Sequence, residues 1–200
     1  GERNGGFKIA MNSLNYGRIK LAVATLDANK RSLNESIKYA NERKQFGVNI
    51  GRFGAIKHKI GEMATKHYAS ESACYRYGQL IEDNIARLEA EGMSPQESKL
   101  KGVEEYAIEC ALLKVYGSES DSEIIDEAVQ IFGGMGYSAE STVESAYRDC
   151  RITRIYEGTN EINRMLSIGM LLKKAMKGEM DLMTPAMAVA NDLMAIPSFD

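Results

Sequence analysis

Glu157 is a carboxylate whose setting in the chain could serve chemistry. It stands in the run Arg148-Asp149-Cys150-Arg151-Ile152-Thr153-Arg154-Ile155-Tyr156-Glu157-Gly158-Thr159-Asn160-Glu161-Ile162, in a short break between two helical patterns. A carboxylate there is anchored by regular structure on both sides. Gly158 lets another molecule approach the backbone, and Thr159-Asn160 suits the start of a new helix. Read alone, the same run also fits a plain interhelical turn carrying a solvated Glu.

Three other stretches have residue types suited to chemistry. Arg43-Lys44-Gln45-Phe46-Gly47 offers a planar cation for a bidentate phosphate contact and an aromatic that can lie against a flat ring. A basic last turn followed by a glycine stop explains Arg43 and Gly47 equally well. Gln130-Ile131-Phe132-Gly133-Gly134-Met135-Gly136-Tyr137 places three glycines in four positions, more than one helix stop requires. Bare backbone of this kind can bring N–H groups to a phosphate or a ring edge, and a flexible turn is the plain alternative. It is not the dinucleotide fingerprint, because no strand precedes it. Asn15-Tyr16-Gly17-Arg18 puts a guanidinium at the start of the first helical pattern, where a surface arginine is also ordinary.

The elements that must position these residues read as helices. Only Pro95, Pro185 and Pro197 interrupt the chain, and alternating β-branched runs are missing. The spacing predicts a first helix over about 13–41, with Ile19, Val23, Leu26, Leu33, Ile37 and Ala40 on one stripe. A second follows over about 53–90, its stripe near a 3.5-residue period that favours shallow bundle packing. Ser94-Pro95-Gln96-Glu97 is a strong start signal for a third helix running to Ile131. Within it, Gly117 to Ser122 is either a break or a small-residue face where another helix crosses closely. Ser141-Thr142-Val143-Glu144 reads as a second capping box opening a short helix to about Arg151. A further helix begins near Thr159, and the methionine-rich tail from Leu171 reads as an amphipathic helix packing on a neighbour, with a membrane-surface or partner role as the alternative. The fold class is therefore all-α: an up-down four-helix bundle with a short extra helix and a helical C-terminal tail. Residues 1–12 read as the end of a preceding unit, 13–174 as the bundle and 175–200 as a tail that can begin a further helical extension.

Composition narrows the function. A net charge of −3 gives no reason to expect nucleic acid or an anionic membrane as partner. No stretch has the roughly 18 apolar residues of a membrane span. Cys74, Cys110 and Cys150 are dispersed and form no CxxC pair, the usage of a reducing compartment. With only His58 and His67 besides, soft ligands are too few for a metal site.

Taken together and in order, Gly17-Arg18, Glu42 to Gly47, Gln130 to Tyr137 and Arg148 to Ile162 resemble the C-terminal helical domain of the flavin-dependent acyl-CoA dehydrogenases, over roughly Gly5 to Lys174. The resemblance implies that Glu157 is the base removing the α-proton of an acyl thioester while hydride leaves the β-carbon for FAD, giving the trans-2-enoyl-CoA. Such a base must be dry and close. It also implies that Arg43, Gln45, Phe46, Gln130, Gly133 and Gly134 contact FAD, largely the pyrophosphate and adenosine end of a neighbouring subunit's cofactor. Thr159 and Glu161 resemble positions beside the cofactor. Asn15, Arg18, Tyr156 and Gly158 resemble positions lining the CoA and thioester channel. Phe53 and Gly54 stand where short- and medium-chain members often carry a flavin-holding His-Gln pair, a departure that looks like the very-long-chain subgroup. The implied partners are an acyl-CoA, an electron-transferring flavoprotein and further copies in a homodimer or homotetramer. The implied compartment is the bacterial cytoplasm or the mitochondrial matrix. An acyl-CoA oxidase and a non-catalytic helical assembly module are the alternatives, and the fragment by itself is expected to be inactive.

Overall fold

A computed structural model describes residues 3–195. The chain forms α1 (Gly6–Glu42), a hairpin of β1 (Lys44–Gln45) and β2 (Val48–Asn49), α2 (Gly54–Ala90), α3 (Pro95–Glu105), α4 (Ala107–Phe132), α5 (Thr142–Thr153), α6 (Asn160–Met176) and α7 (Met183–Met194). The fold is all-α apart from that hairpin.

Two core clusters fix the helix directions. At one end Ile19, Ala22 and Leu26 of α1 meet Cys74, Ile81 and Ile85 of α2 and Cys110 and Leu113 of α4. At the other, Leu33 and Ala40 meet Met63 of α2 and Ile124, Ala128 and Ile131 of α4. Thus α2 runs against α1, and α4 runs with α1. Asn160 at the start of α6 meets Ser118 within α4, and Lys174 near the end of α6 meets Glu105 just before α4 begins, so α6 runs against α4. This is the expected up-down arrangement, with α4 central and packed on α1, α2, α5 and α6.

Several boundaries differ from the sequence expectation. Helix α1 starts at Gly6, so the chain before Ser13 already forms its first turns. A tertiary contact supports them: Asn12 is buried and its amide donates to Glu104 of α3 at 3.5 Å, and Lys8 pairs with the same carboxylate at 3.6 Å. The expected long third helix is divided at Tyr106, whose N–H turns back to Val103 O at 3.1 Å. Helix α4 runs unbroken through Gly117–Ser122. There a Cβ on Gly117 would lie 3.1 Å from Ala22 Cα, so the small residues serve a close α1–α4 crossing.

Of the two expected capping boxes, Ser94 closes, accepting from the Glu97 N–H at 3.4 Å and donating to its carboxylate at 2.9 Å. Ser141 does not: its hydroxyl is buried without a partner, and the entry to α5 is held instead by its N–H on Ser138 O at 2.8 Å. The tail is two helices rather than one, because Gly178 takes φ +73° and ends α6, and no residue of α7 is buried. The terminal Ile196-Pro197-Ser198-Phe199-Asp200, read with that tail, lies outside the described residues. No described helix is long and apolar enough to cross a membrane.

Candidate functional site

The chain from Arg154 to Thr159 leaves α5 and enters α6 through two consecutive left-handed residues, Glu157 at φ +59° and Gly158 at φ +83°. Left-handed backbone is ordinary for glycine but costs a residue with a Cβ roughly 1–2 kcal/mol, so Glu157 is held by its surroundings. The holding groups converge from three helices. Asn163 of α6, fully buried, directs its amide at three successive carbonyls: Glu157 O at 3.3 Å, Gly158 O at 2.8 Å and Thr159 O at 3.2 Å. Lys114 of α4, also fully buried, donates to Gly158 O at 2.9 Å and to Asn160 Oδ1 at 2.7 Å. Arg18 of α1 donates to Glu157 O at 3.4 Å. Thr159 then caps α6 by accepting from the Ile162 N–H.

The Glu157 side chain folds back over α1. A Cβ at Gly17 would sit 2.5 Å from Glu157 Oε2, so the carboxylate occupies space that only a glycine leaves free in this pose. Oε2 is buried and has no hydrogen-bond partner, an acceptor without a donor. Around it the polar groups form a chain: Arg18 donates to Asn15 Oδ1 at 3.1 Å, and Asn15 donates to Asn12 at 3.4 Å. Burial pulls the Arg18 guanidinium below its ordinary value, with the charge of Glu157 among the groups acting the other way. Burial likewise lowers the Lys114 ammonium, while Glu161 raises it. Asn15, Arg18, Tyr156, Glu157, Gly158, Thr159 and Glu161 thus gather at one place. Tyr156 and Glu161 face outward there, with Tyr156 46% exposed.

A second set gathers elsewhere. Arg43, Gln45, Phe46, Phe53, Gly133 and Gly134 line an open groove of about 570 Å³ where α1 and α4 both end. The hairpin builds it: Phe46 at φ +53° and Gly47 at φ +81° form the tight primed turn, which leaves the Phe46 ring 92% exposed and edge-on to Phe53 at 6.1 Å. Tyr39 stacked on Phe132 at 4.2 Å forms the floor. Gly133 adopts φ +61°, ψ −142°, a conformation reserved for glycine, and nothing lies within 4 Å of a Cβ at Gly133 or Gly134. A guanidinium, two exposed rings and bare backbone fit a phosphate joined to a flat ring, the parts of FAD.

The two sets lie far apart along α1, one against its first half and the other beyond its C-terminal end. Arg18 and Arg43 are 25 residues apart in sequence, about 37 Å at ~1.5 Å per residue. Two candidate residues fall outside the groove. Gln130 opens on a neighbouring cleft with Tyr137, Arg148 and Arg151, and Gly54 begins α2 beside Phe53. Sequence reasoning passed over Lys114 and Asn163, and read Asn160 only as part of a helix start. The signal was present: Lys114 falls on the buried phase of α4 between Cys110 and Gly117, and Asn160, Asn163 and Ser167 on that of α6. Polar residues on a core stripe require partners.

Residues 4–171 match the family described as acyl-CoA dehydrogenase, C-terminal domain. The chain is 49% identical over 196 residues to a probable acyl-CoA dehydrogenase of Bacillus subtilis, covering 98% of this chain and 33% of that protein. It is 38% identical over 165 residues to the mitochondrial very long-chain specific acyl-CoA dehydrogenase of Bos taurus, covering 82% of this chain and 22% of that protein. An acyl-CoA dehydrogenase complexed with FAD from Bacillus anthracis superposes with a TM-score of 0.92 at 46% identity, covering all of this chain and 34% of that one. The chain therefore spans about a third or less of the length of these proteins.

Proposed function

Because the chain belongs to the acyl-CoA dehydrogenase family through its C-terminal helical domain, we propose that it supplies the base, Glu157, for α,β-dehydrogenation of an acyl-CoA to the trans-2-enoyl-CoA. One observation carries this reading: a buried carboxylate oxygen without a partner, on a left-handed loop residue held by α1, α4 and α6. An α-proton beside a thioester is weakly acidic, and a base kept from water and fixed in direction removes it most effectively. Glu157 Oε2 accepts that proton. The Gly17 backbone leaves room for the carboxylate, and Arg18 and Asn163 keep its loop from turning outward. Bound FAD supplies the acceptor for the hydride that leaves the β-carbon.

Arg43 and the Gly133-Gly134 backbone hold the phosphates, and Phe46 and Phe53 border the adenine. The separation of this groove from Glu157 supports assigning it to the cofactor of a second copy in a homodimer or homotetramer. Thr159 and Glu161 stand beside the flavin, and Asn15, Arg18, Tyr156 and Gly158 border the thioester. The remainder of the site comes from segments outside this chain, so the isolated 200-residue chain does not turn over. The intact protein passes electrons to an electron-transferring flavoprotein, in a bacterial cytoplasm or a mitochondrial matrix. The Phe53-Gly54 pair and the helical tail support a long-chain substrate.

The test is Glu157→Gln in the intact protein. The variant folds and keeps its flavin, while turnover of a saturated acyl-CoA falls about 10²–10⁴-fold, the ordinary worth of a positioned base. Unchanged turnover would remove Glu157 from the reaction.

A further inference from the structure

We propose that Lys114 is a positioning residue, which with Asn163 locks the Glu157-Gly158 backbone in the conformation that aims the base. This rests on the reading of Glu157 as that base and adds what sets its direction.

Lys114 lies on the central helix, completely buried, and both acceptors of its ammonium are neutral oxygens, Gly158 O at 2.9 Å and Asn160 Oδ1 at 2.7 Å. A buried cation is expensive unless its donors are used on something that must stay in place. What it holds is the carbonyl of the residue next to the base, together with the first residue of α6. Asn160 in turn is tied to α4, donating to Ser118 Oγ at 3.0 Å and to Glu119 Oε1 at 3.1 Å. Glu119 is itself gripped by the two terminal guanidinium nitrogens of Arg164, each at 2.6 Å, so the start of α6 is pinned to α4 by a connected network. Asn163 shares the Gly158 carbonyl with Lys114 at 2.8 Å. The Gly158 carbonyl therefore receives two donors from two helices, one of them charged, and charge-assisted hydrogen bonds are the strong ones.

The geometry explains why a loop needs this. Two consecutive left-handed residues turn the Glu157, Gly158 and Thr159 carbonyls inward, toward the bundle, and the Glu157 side chain over Gly17. Without donors facing them, these carbonyls would turn to water, and Glu157 would relax out of its disfavoured conformation. A rotation of one peptide there carries the carboxylate away from α1 while leaving the helices intact. Lys114 thus acts on the reaction through Glu157 without touching substrate.

The experiment uses the intact, flavin-loaded protein and compares wild type, Glu157→Gln, Lys114→Met, Lys114→Gln and Asn163→Leu. Measured are flavin content, KM, and the rate at which a saturating, saturated long-chain acyl-CoA removes the visible flavin absorbance, with and without α-deuteration. Lys114→Met and Asn163→Leu are expected to retain flavin and to keep KM within about threefold. Their flavin reduction slows about 10²-fold, the cost of moving a reacting group by about 1 Å, with the α-deuterium isotope effect retained. Lys114→Gln, which keeps one neutral donor, falls between. A folded Lys114→Met that reduces its flavin within threefold of wild type would overturn the proposal. So would a loss confined to KM or to flavin content. If Lys114→Met does not fold, Asn163→Leu decides by the same criteria. A wild type that dehydrogenates nothing, or a fully active Glu157→Gln, would instead sink the reading of Glu157, a result separable from normal flavin reduction in Lys114→Met alone.

Discussion

The three glycines after α4 have different jobs, and substituting each separates packing from ligand binding. Gly136 is buried, and a Cβ there would meet Val129 O at 2.6 Å, Phe132 Cβ at 2.9 Å and Val129 Cα at 3.0 Å, against 3.4 Å for ordinary contact. Two of the three atoms in the way are backbone of the last turn of α4, so neither the turn nor the helix can yield by a rotamer change. Gly136→Ala must push the glycine turn off the helix by most of an ångström, an overpacking cost of about 1–3 kcal/mol. For a chain of this size a loss of about 2 kcal/mol lowers the melting temperature by about 4–8 °C. Gly133→Ala costs a similar amount for another reason, a φ of +61° with ψ −142° that a side chain disfavours. Gly134→Ala meets nothing within 4 Å and has no left-handed φ, so the melt should not move. If the groove takes the adenosine end of FAD, the added methyl stands where the cofactor approaches, and flavin retention by the intact protein falls. Thermal melts of the 200-residue chain, with flavin retention by the intact protein, give both readouts. A Gly136→Ala chain melting with wild type would refute the packing argument. A Gly134→Ala protein holding FAD as tightly as wild type would refute the groove's assignment.

Two further outcomes follow from burial. Asp121 is 2% exposed, its Oδ1 has no partner, and burial pushes its carboxyl from 3.8 up to about 7. The unfolded chain ionises this group near its ordinary value while the folded chain holds the proton. Its contribution to stability is therefore complete below the unfolded pKa and is lost as pH rises through about 7, to an upper bound of about 4 kcal/mol. Asp121→Asn should then be the more stable protein at about pH 8 and show a flatter denaturation midpoint from about pH 5 upward; parallel curves for the two proteins would contradict this. Burial also pushes the Cys110 thiol up to about 12 and that of Cys74 to about 11, so a thiol-directed alkylating agent near neutral pH should leave both unmodified until denaturant is added. Prompt labelling of either in the native chain, read by mass spectrometry, would disprove it.

Much of the fold was legible because its signals are local. A helical period needs only neighbouring turns, a Ser or Thr cap acts on an N–H three residues on, and Gly47 and Gly133 mark turns by what their backbone alone can do. Glu157 could be placed between two helices for the same reason, and the order of four short motifs sufficed to identify the family. Ser141 shows the limit, since a correct capping pattern did not close once that hydroxyl was buried against other groups.

What the sequence by itself determined is the class of helices, most of their ends, and the residue types available for chemistry. Only the tertiary structure decided that Asn12 extends α1, that the small residues of α4 serve a crossing and not a break, and that the candidate residues form two separate places. It alone showed that Lys114 and Asn163 hold the Glu157-Gly158 loop, as Arg18 does from a third helix. The physical reason is distance along the chain: Lys114 is 44 residues from Gly158 and Arg18 is 139 from Glu157, and a hydrogen bond between such groups exists only after the bundle has packed.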